Sequence, residues 1–417
     1  MRMRPFGRLL PWTEARRRLM AAVPTPSGAE TVPLSEAAGR RPVRTIRAPS
    51  PIPRVDRATW DGYAFASRAS RGASPAAPVR LRVVGERFAA DPPGRRVPAG
   101  ACVAIATGAP MPPGTDTVEI FEAVRRRGGA VLLRRPVPAG ARVARAGSDI
   151  PRGAVIAEAG RPLRPADLGG LAAMGRVGVE VRPLPRVALL PNGDELRPGG
   201  SALGPGRIYE SNNPMLAAVV RASGGIPVPL PPVPDDPAAI ERALRAAARD
   251  CAIVVATGGS SVGEHDHLPR IFRRLGRLLF HGIAVRPGKP TLAARSGRTL
   301  WVGMPGHPTS CLANAVWLLA PAIRKAAGED GDGCLPDTVR LREGLPANPE
   351  GMATFVPFRV EAGWARRTFH ESHAITSLAG MDAYWMRPAG DRRRRQGDAV
   401  PVRRLLPPVA PLAPTNR

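Results

Sequence analysis

From Leu184 onward the sequence repeats a pattern that leaves little freedom of fold: a strand-length apolar run, then a stretch with helical spacing. The runs are "RVALL" (186–190), "IPVPL" (226–230), "CAIVVAT" (251–257) and "TLWVGM" (299–304), and they alternate with helical patterns at 214–223, 236–249, 268–275 and 309–326. That alternation predicts a parallel sheet with helices on both faces, a doubly wound α/β domain.

The rest of the chain reads differently. Apolar residues recur at helical spacing from Trp12 to Val23, and "PLSEAAGR" (33–40) reads as a short helix ending at Gly39. After the Pro-rich "APSPIPRVDRATWDGYAFAS", residues 78–145 alternate short apolar runs with Gly and Pro turns, the mark of a small, mostly β domain. "RPADLGGLAAMG" reads as a helix with a Gly stop. Beyond the polar stretch "AAGEDGDG" (326–333), the runs "TVRLRE", "ATFVPFRV" and "AYWMRPAG" predict a last small β domain, and "PPVAPLAPTNR" a disordered tail. A chain of 417 residues is long enough for several such cores, and with 4% aromatics they must be built mainly from small aliphatic side chains.

The formal charge of +27 would by itself suggest an anionic partner. Its distribution argues against nucleic acid: the arginines are spread along the chain, their runs are short, and no aromatic ladder accompanies them. Cysteines at 102, 251, 311 and 334 include no C-x-x-C pair, which fits a reducing compartment. No apolar run is long enough for a signal peptide or a membrane span, so the expectation is a cytoplasmic protein with no membrane partner and no specific nucleic acid.

In open α/β sheets ligands sit outside the carboxyl ends of the strands, where helix N-termini present free N–H groups. The loops there are "PNGDEL" (191–196), "TGGSSVGEHDH" (257–267) and "PGHPTS" (305–310), with "VRPGKP" (285–290) nearby in sequence. Gly258, Gly259 and Gly263 allow close backbone approach to an oxyanion, and Ser260 and Ser261 add donors. A ligand-free βα turn would look the same in any one of these loops; their convergence argues for a site. Glu195, Asp235 or Asp236, and Asp266 fall at the same rim, and Asp235 could equally cap the next helix. Acids beside a phosphate loop make sense if Mg2+ bridges them to the phosphate oxygens. His265, His267, His281 and His307 make a transition-metal site a second option, although bland loop histidines also fit. Among 61 basic residues, Lys289 and Lys325 are the only lysines. A compact ammonium held in a Pro-Gly-Lys-Pro turn suits a narrow oxyanion pocket better than a guanidinium fork.

These segments together resemble the molybdopterin molybdenumtransferases, the MoeA and gephyrin E-domain group. In order, "VDRATWDGYAF", "IATGAPMPPGTDTVEIFE", "GSDI", "PNGDEL", "IYESN", "TGGSSVGEHD", "RPGKP" and "MPGHPTS" match family segments up to about residue 390. The resemblance implies an α/β multidomain subunit: a discontinuous, elongated linker domain (1–54 and 147–183), a small β domain (55–146), a molybdopterin-binding α/β domain (184–328), a C-terminal β domain (329–404) and a tail (405–417). It also implies a homodimer that inserts molybdate into adenylylated molybdopterin with Mg2+, giving molybdenum cofactor and AMP. Molybdopterin adenylyltransferase and apo-molybdoenzymes are implied as further partners. Carried over by position, Asp61, Thr107 and Asp149 match the second subunit's side of the cleft. Glu195, Asp235 and Asp266 match the acidic, metal-bearing positions; Lys289 joins these acids, Asp61 and Asp149 in the catalytic set. Gly258, Gly259, Ser260, Ser261, Gly263, Arg286, Pro305, Gly306, Pro308 and Ser310 join Thr107 in binding substrate. The chain departs from the family pattern at Asn192, Gly282, Arg286, His307 and Thr59–Trp60. Competing expectations are a non-catalytic cofactor carrier on the same fold and the preceding adenylyl transfer.

Overall fold

The computed structural model describes residues 7–24, 27–263, 266–329, 334–369 and 374–405. The expected disordered tail lies, from residue 406, outside the described residues; Leu405 ends a strand. The chain divides into two compact units, residues 30–181 and residues 1–29 with 182–417.

The larger unit contains the α/β sheet. Its elements are α1 (Trp12–Ala22), β1 (Arg186–Pro191), α2 (Asn212–Ala222), β2 (Ile226–Pro229), α3 (Pro237–Ala247), β3 (Ile253–Thr257), α4 (Leu268–Leu275), β4 (Arg277–His281), β5 (Leu292–Ser296), β6 (Thr299–Met304) and α5 (Pro308–Asn314). The strand order is β2-β1-β3-β6-β5-β4. The first four strands are parallel, and β1, β3 and β6 are buried on both faces because alternate residues enter different cores. Val187 and Leu189 pack with Leu216, Val220 and Trp317; Ala188 and Leu190 pack with Ile240, Leu244 and Phe272.

Two strands were not foreseen. β4 and β5 are antiparallel, so the sheet is mixed at one edge. Their arginines interrupt the apolar runs, and the signal of a both-faces-buried strand is lost. Their register matters for function: Leu292 lies opposite Gly303 and His281 opposite Leu292, which brings the connection between them to the carboxyl end of β6.

α3 starts where Asp236 accepts the Ala239 N–H at 2.7 Å and Pro237 occupies the first turn. α5 continues through a π-helical stretch, Ala315–Leu319, into a helix over Ala320–Ala326. Pro321 follows that stretch; it has no N–H to give, and the wider turn accommodates its ring. α1, assigned above to the linker domain, instead buries Ala15 and Leu19 in the α/β core, with Trp12 edge-on to Trp317 at 5.9 Å. Its apolar stripe identified the helix but not the partner.

A second sheet in this unit runs Val285–Arg286, Ala353–Glu361, Trp364–Arg367, Cys334–Leu341, Ala399–Leu405, Ala383–Arg387, and the last strand pairs back on Ala353–Glu361. That pairing curls the sheet closed. In the smaller unit, a six-stranded sheet lies between residues 62 and 133. Three short antiparallel pairs are nested around it: Glu30–Pro33 with Gly178–Val181, Ile46–Arg47 with Val155–Ala157, and Arg57–Ala58 with Val143–Ala144. Of the short helix expected over 33–40, only a 3-10 turn, Leu34–Glu36, forms.

Candidate active site

β1 pairs with β2 on one side and β3 on the other, so the strand order reverses between β1 and β3 and their helices leave in opposite directions. The carboxyl ends there open a crevice. Asn192 follows β1 and fills its floor: its N–H donates to the Thr257 carbonyl at 2.9 Å, and its amide lies against Gly258 and Gly259. Both glycines have left-handed φ, 90° and 56°. A Cβ on Gly258 would overlap the Asn192 carbonyl oxygen, and one on Gly259 would sit 2.9 Å from Asn192 Nδ2. Only glycine fits this approach.

The glycine loop then closes on Asp266. Its carboxylate accepts the N–H groups of Ser261 at 2.9 Å and Gly263 at 2.6 Å, so two donors read from sequence as oxyanion ligands are already engaged within the loop. The buried Ser260 holds its carbonyl 3.2 Å from His281 Nε2. Burial keeps the His281 pKa below the ordinary imidazole value, so the neutral ring donates. Glu264 and His265 lie outside the described residues.

The choice between Asp235 and Asp236 is settled by the helix, because Asp236 is the α3 cap. Asp235 faces the rim instead. Its N–H donates to Asp194 Oδ1 at 3.2 Å, the Asp194 N–H returns to Asp235 Oδ2 at 3.3 Å, and Asn192 Nδ2 reaches Asp235 Oδ1 at 3.4 Å. The exposed Glu195 folds its carboxylate back over Gly193. Asp194 was not singled out in sequence, since two neighbouring acids in a loop carry no periodicity to separate them. The donors here are hard carboxylate oxygens, the chemistry Mg2+ takes. Among the described residues no three His, Cys, Asp or Glu side chains gather into a metal-holding group.

Around the crevice several buried polar groups are only half used. Asn192 Nδ2 is engaged with Asp235, Asn212 Nδ2 with the Gly306 carbonyl at 2.9 Å, and Asn213 Nδ2 with the Leu230 carbonyl at 2.9 Å. Their Oδ1 atoms, and Thr257 Oγ1, are buried without a hydrogen-bond partner. Each such group costs about 1–3 kcal/mol when left unpaired. Glu210, in "IYESN", accepts the Asn213 N–H at 2.8 Å, and burial raises its pKa against that bond.

A cavity of about 550 Å3 holds the other candidates. Arg286, Lys289 and Ser310 line it, with Thr354, Arg367 and Phe369 from the C-terminal part. Among the described residues no carboxylate lines it: Asp235, Asp266 and Glu195 belong to the crevice rim instead. The turn carrying Lys289 is pinned from below. Asn314 Nδ2 donates to the Gly288 carbonyl at 2.8 Å and to Thr291 Oγ1 at 2.6 Å, and its Oδ1 accepts Trp317 Nε1 at 2.8 Å. The Lys289 carbonyl accepts the N–H groups of Ile283 and Thr291, both at 2.9 Å, which leaves its side chain exposed at the surface of a rigid turn. Arg286 is tied to the second sheet through Thr354 Oγ1 at 3.0 Å and Asn348 Oδ1 at 3.3 Å. Gly282, with φ of 90°, occupies a conformation that disfavours a basic side chain. The buried Pro305 ends the approach from β6, Gly306 packs beside Gly258, and Pro308 opens α5 behind the exposed His307.

The remaining candidates lie in the smaller unit. Asp61 Oδ1 accepts both the Thr107 N–H at 2.6 Å and its hydroxyl at 2.8 Å, and the N–H above all holds the carboxyl below its usual range. Asp149 is exposed, its N–H bonded to the Ile52 carbonyl at 3.2 Å. Trp60, beside Asp61, is 60% exposed. None of the four cysteines is in a disulfide, and burial pushes the Cys102 thiol up to about 12, out of nucleophilic range. Among the described residues no helix is long and apolar enough to cross a membrane.

Family models match three successive parts of the chain: the MoeA N-terminal region (domain I and II) at 10–175, a probable molybdopterin binding domain at 188–325, and the MoeA C-terminal region (domain IV) at 338–405. A molybdopterin molybdenumtransferase from Synechococcus elongatus is 32% identical over 415 residues, covering 95% of this chain and 100% of its own length. One from Haemophilus influenzae is 31% identical over 77% of this chain and 78% of its own. The solved MoeA protein of Pyrococcus horikoshii superposes with a TM-score of 0.84 at 31% identity, covering 95% of this chain and 99% of that one.

Proposed function

Since this chain belongs to the molybdopterin molybdenumtransferase family, the MoeA group, we propose that it inserts molybdate into adenylylated molybdopterin, releasing AMP and molybdenum cofactor. The observation that carries the reading is the arrangement at the β1–β3 switch point, where a rigid glycine loop and the Asp194–Asp235 pair share one crevice.

In this reading the crevice receives the pterin and its phosphates, with Gly258, Gly259 and the Ser260–Gly263 turn shaping a close backbone wall. Glu195, Asp235 and Asp266, with Asp194, are the hard donors available to Mg2+, whose charge would offset that of the pyrophosphate. The cation-lined cavity at Arg286 and Lys289 takes molybdate, and Ser310 adds a hydroxyl donor. Fixed positive charge aimed at an oxyanion acts without reorganisation, which is where such donors contribute most to rate. A homodimer belongs to the same reading, with Asp61, Thr107 and Asp149 contributed by a second copy, and so does a cytoplasmic location.

Mixing the purified protein with adenylylated molybdopterin, molybdate and Mg2+ tests it. The expected result is stoichiometric AMP and a product that reconstitutes an apo-molybdoenzyme. Binding without AMP release would make the protein a carrier, and pyrophosphate release from ATP with molybdopterin would make it the adenylyltransferase. Asp266→Asn releasing AMP at the wild-type rate would remove that residue from the assignment.

A further inference from the structure

Four cationic side chains line the 550 Å3 cavity, Arg286, Lys289, Arg367 and Arg387, and among the described residues no carboxylate joins them. Arg387 has little to offer a ligand, because it is buried and Asp391 holds its guanidinium at 2.7 Å. Arg286 is tied to the neutral oxygens of Thr354 and Asn348, which leave its charge uncompensated. Arg367 is exposed, and among the described residues no carboxylate pairs with it. The sheet register sends the two arginines the same way. Arg286 lies opposite Thr354 and Arg367 opposite Phe358, both on the strand Ala353–Glu361. Partners in a ladder share a face, and so do positions four apart on one strand, so the two side chains rise from one face about 13 Å apart along the strand. Arg366 points to the other face.

We propose that Arg367 is a specificity-determining residue of this cavity: with Arg286 and Lys289 it forms a three-cation site that selects doubly charged tetrahedral oxyanions over singly charged ones of the same shape. A fixed cation attracts a dianion twice as strongly as a monoanion at the same distance. The dianion also gives up more hydration on entry, so selection in its favour depends on how many fixed charges meet it. The apolar neighbours Leu345, Pro346, Met352 and Phe369 keep the local dielectric below that of water, which strengthens each of those charges. This rests on the reading of the cavity as the molybdate site and adds the residue that sets charge selectivity there.

Titration calorimetry on the whole protein with molybdate and with perrhenate, its singly charged tetrahedral counterpart, tests this. Wild-type protein is expected to bind molybdate more tightly by about tenfold or more. Arg367→Gln should cut that ratio severalfold, and Arg367→Lys should restore most of it because the charge returns. Arg366→Gln, one residue away on the other face, should leave the ratio as it is, and thermal melting confirms that the variants fold. A wild-type ratio near one, or a ratio that survives Arg367→Gln or falls equally in Arg366→Gln, overturns the proposal. AMP release measured in parallel separates the two readings: release by a chain whose ratio does not depend on Arg367 removes this residue alone, and a ratio that depends on Arg367 without release removes the insertion activity alone.

Discussion

Two buried polar clusters of the larger unit are finished in opposite ways. In the curled C-terminal sheet, Asp391 accepts from Arg387 Nε at 2.7 Å and Arg394 Nε at 3.1 Å, and both guanidinium groups also stack on Trp385, at 5.6 and 5.5 Å. Arg387 Nη2 also donates to the Asp391 and Arg392 carbonyls. In the β1–β3 crevice, Asn192, Asn212 and Thr257 keep open oxygens. A closed network contributes to stability and specifies one packing, while an open one is tolerated where a ligand completes it. The contrast separates a network completed by its own side chains from one that is left incomplete.

The largest effect should come from opening the closed cluster. Asp391→Ala leaves Arg387 buried without its counter-charge and is expected to cost about 3–5 kcal/mol, read by denaturant unfolding. Lys289→Ala should lower AMP release by about 10²–10³-fold, with loss of stability smaller than that of Asp391→Ala because Lys289 is an exposed residue; an unaltered rate would place the molybdate elsewhere. Gly259→Ala tests the crevice backbone, and a left-handed alanine pressed on Asn192 should cost about 1–2 kcal/mol in the same unfolding assay.

Acid pH gives a smaller shift. Burial lowers the His281 pKa in the folded protein, so below the ordinary value of 6.5 the unfolded chain binds the extra proton more readily. Stability from this source is intact above 6.5 and declines as pH falls toward the depressed value, and His281→Gln should flatten that part of the pH–stability curve. The smallest effect belongs to Asn192→Ala. Removing an amide whose oxygen is already unpaired should change unfolding by no more than about 1 kcal/mol. A loss as large as that of Asp391→Ala would show that the crevice amide, too, is a stability element.

Much of this was written in local patterns. The apolar runs placed β1, β2, β3 and β6 within a residue or two; β1, β3 and β6 are buried on both faces, and such strands admit almost no polar residue. The loops at their carboxyl ends were legible for the same reason, as were Gly258 and Gly259, whose small size answers a demand of the backbone itself. β4 and β5 escaped, since an arginine breaks the apolar run of each. Asp194 and the half-used amides also escaped: whether an Asn oxygen finds a partner depends on loops far away in sequence.

By itself, then, the sequence determined the layered α/β architecture, the loops that would bear chemistry and the family, all of which depend on residue type at short spacing. Only the tertiary structure decided that α1 packs on the α/β core, that Asp236 rather than Asp235 caps α3, and that Lys289 lines a cavity the rim acids do not share. Those outcomes turn on long-range burial and hydrogen-bond competition, which no local run of residues encodes.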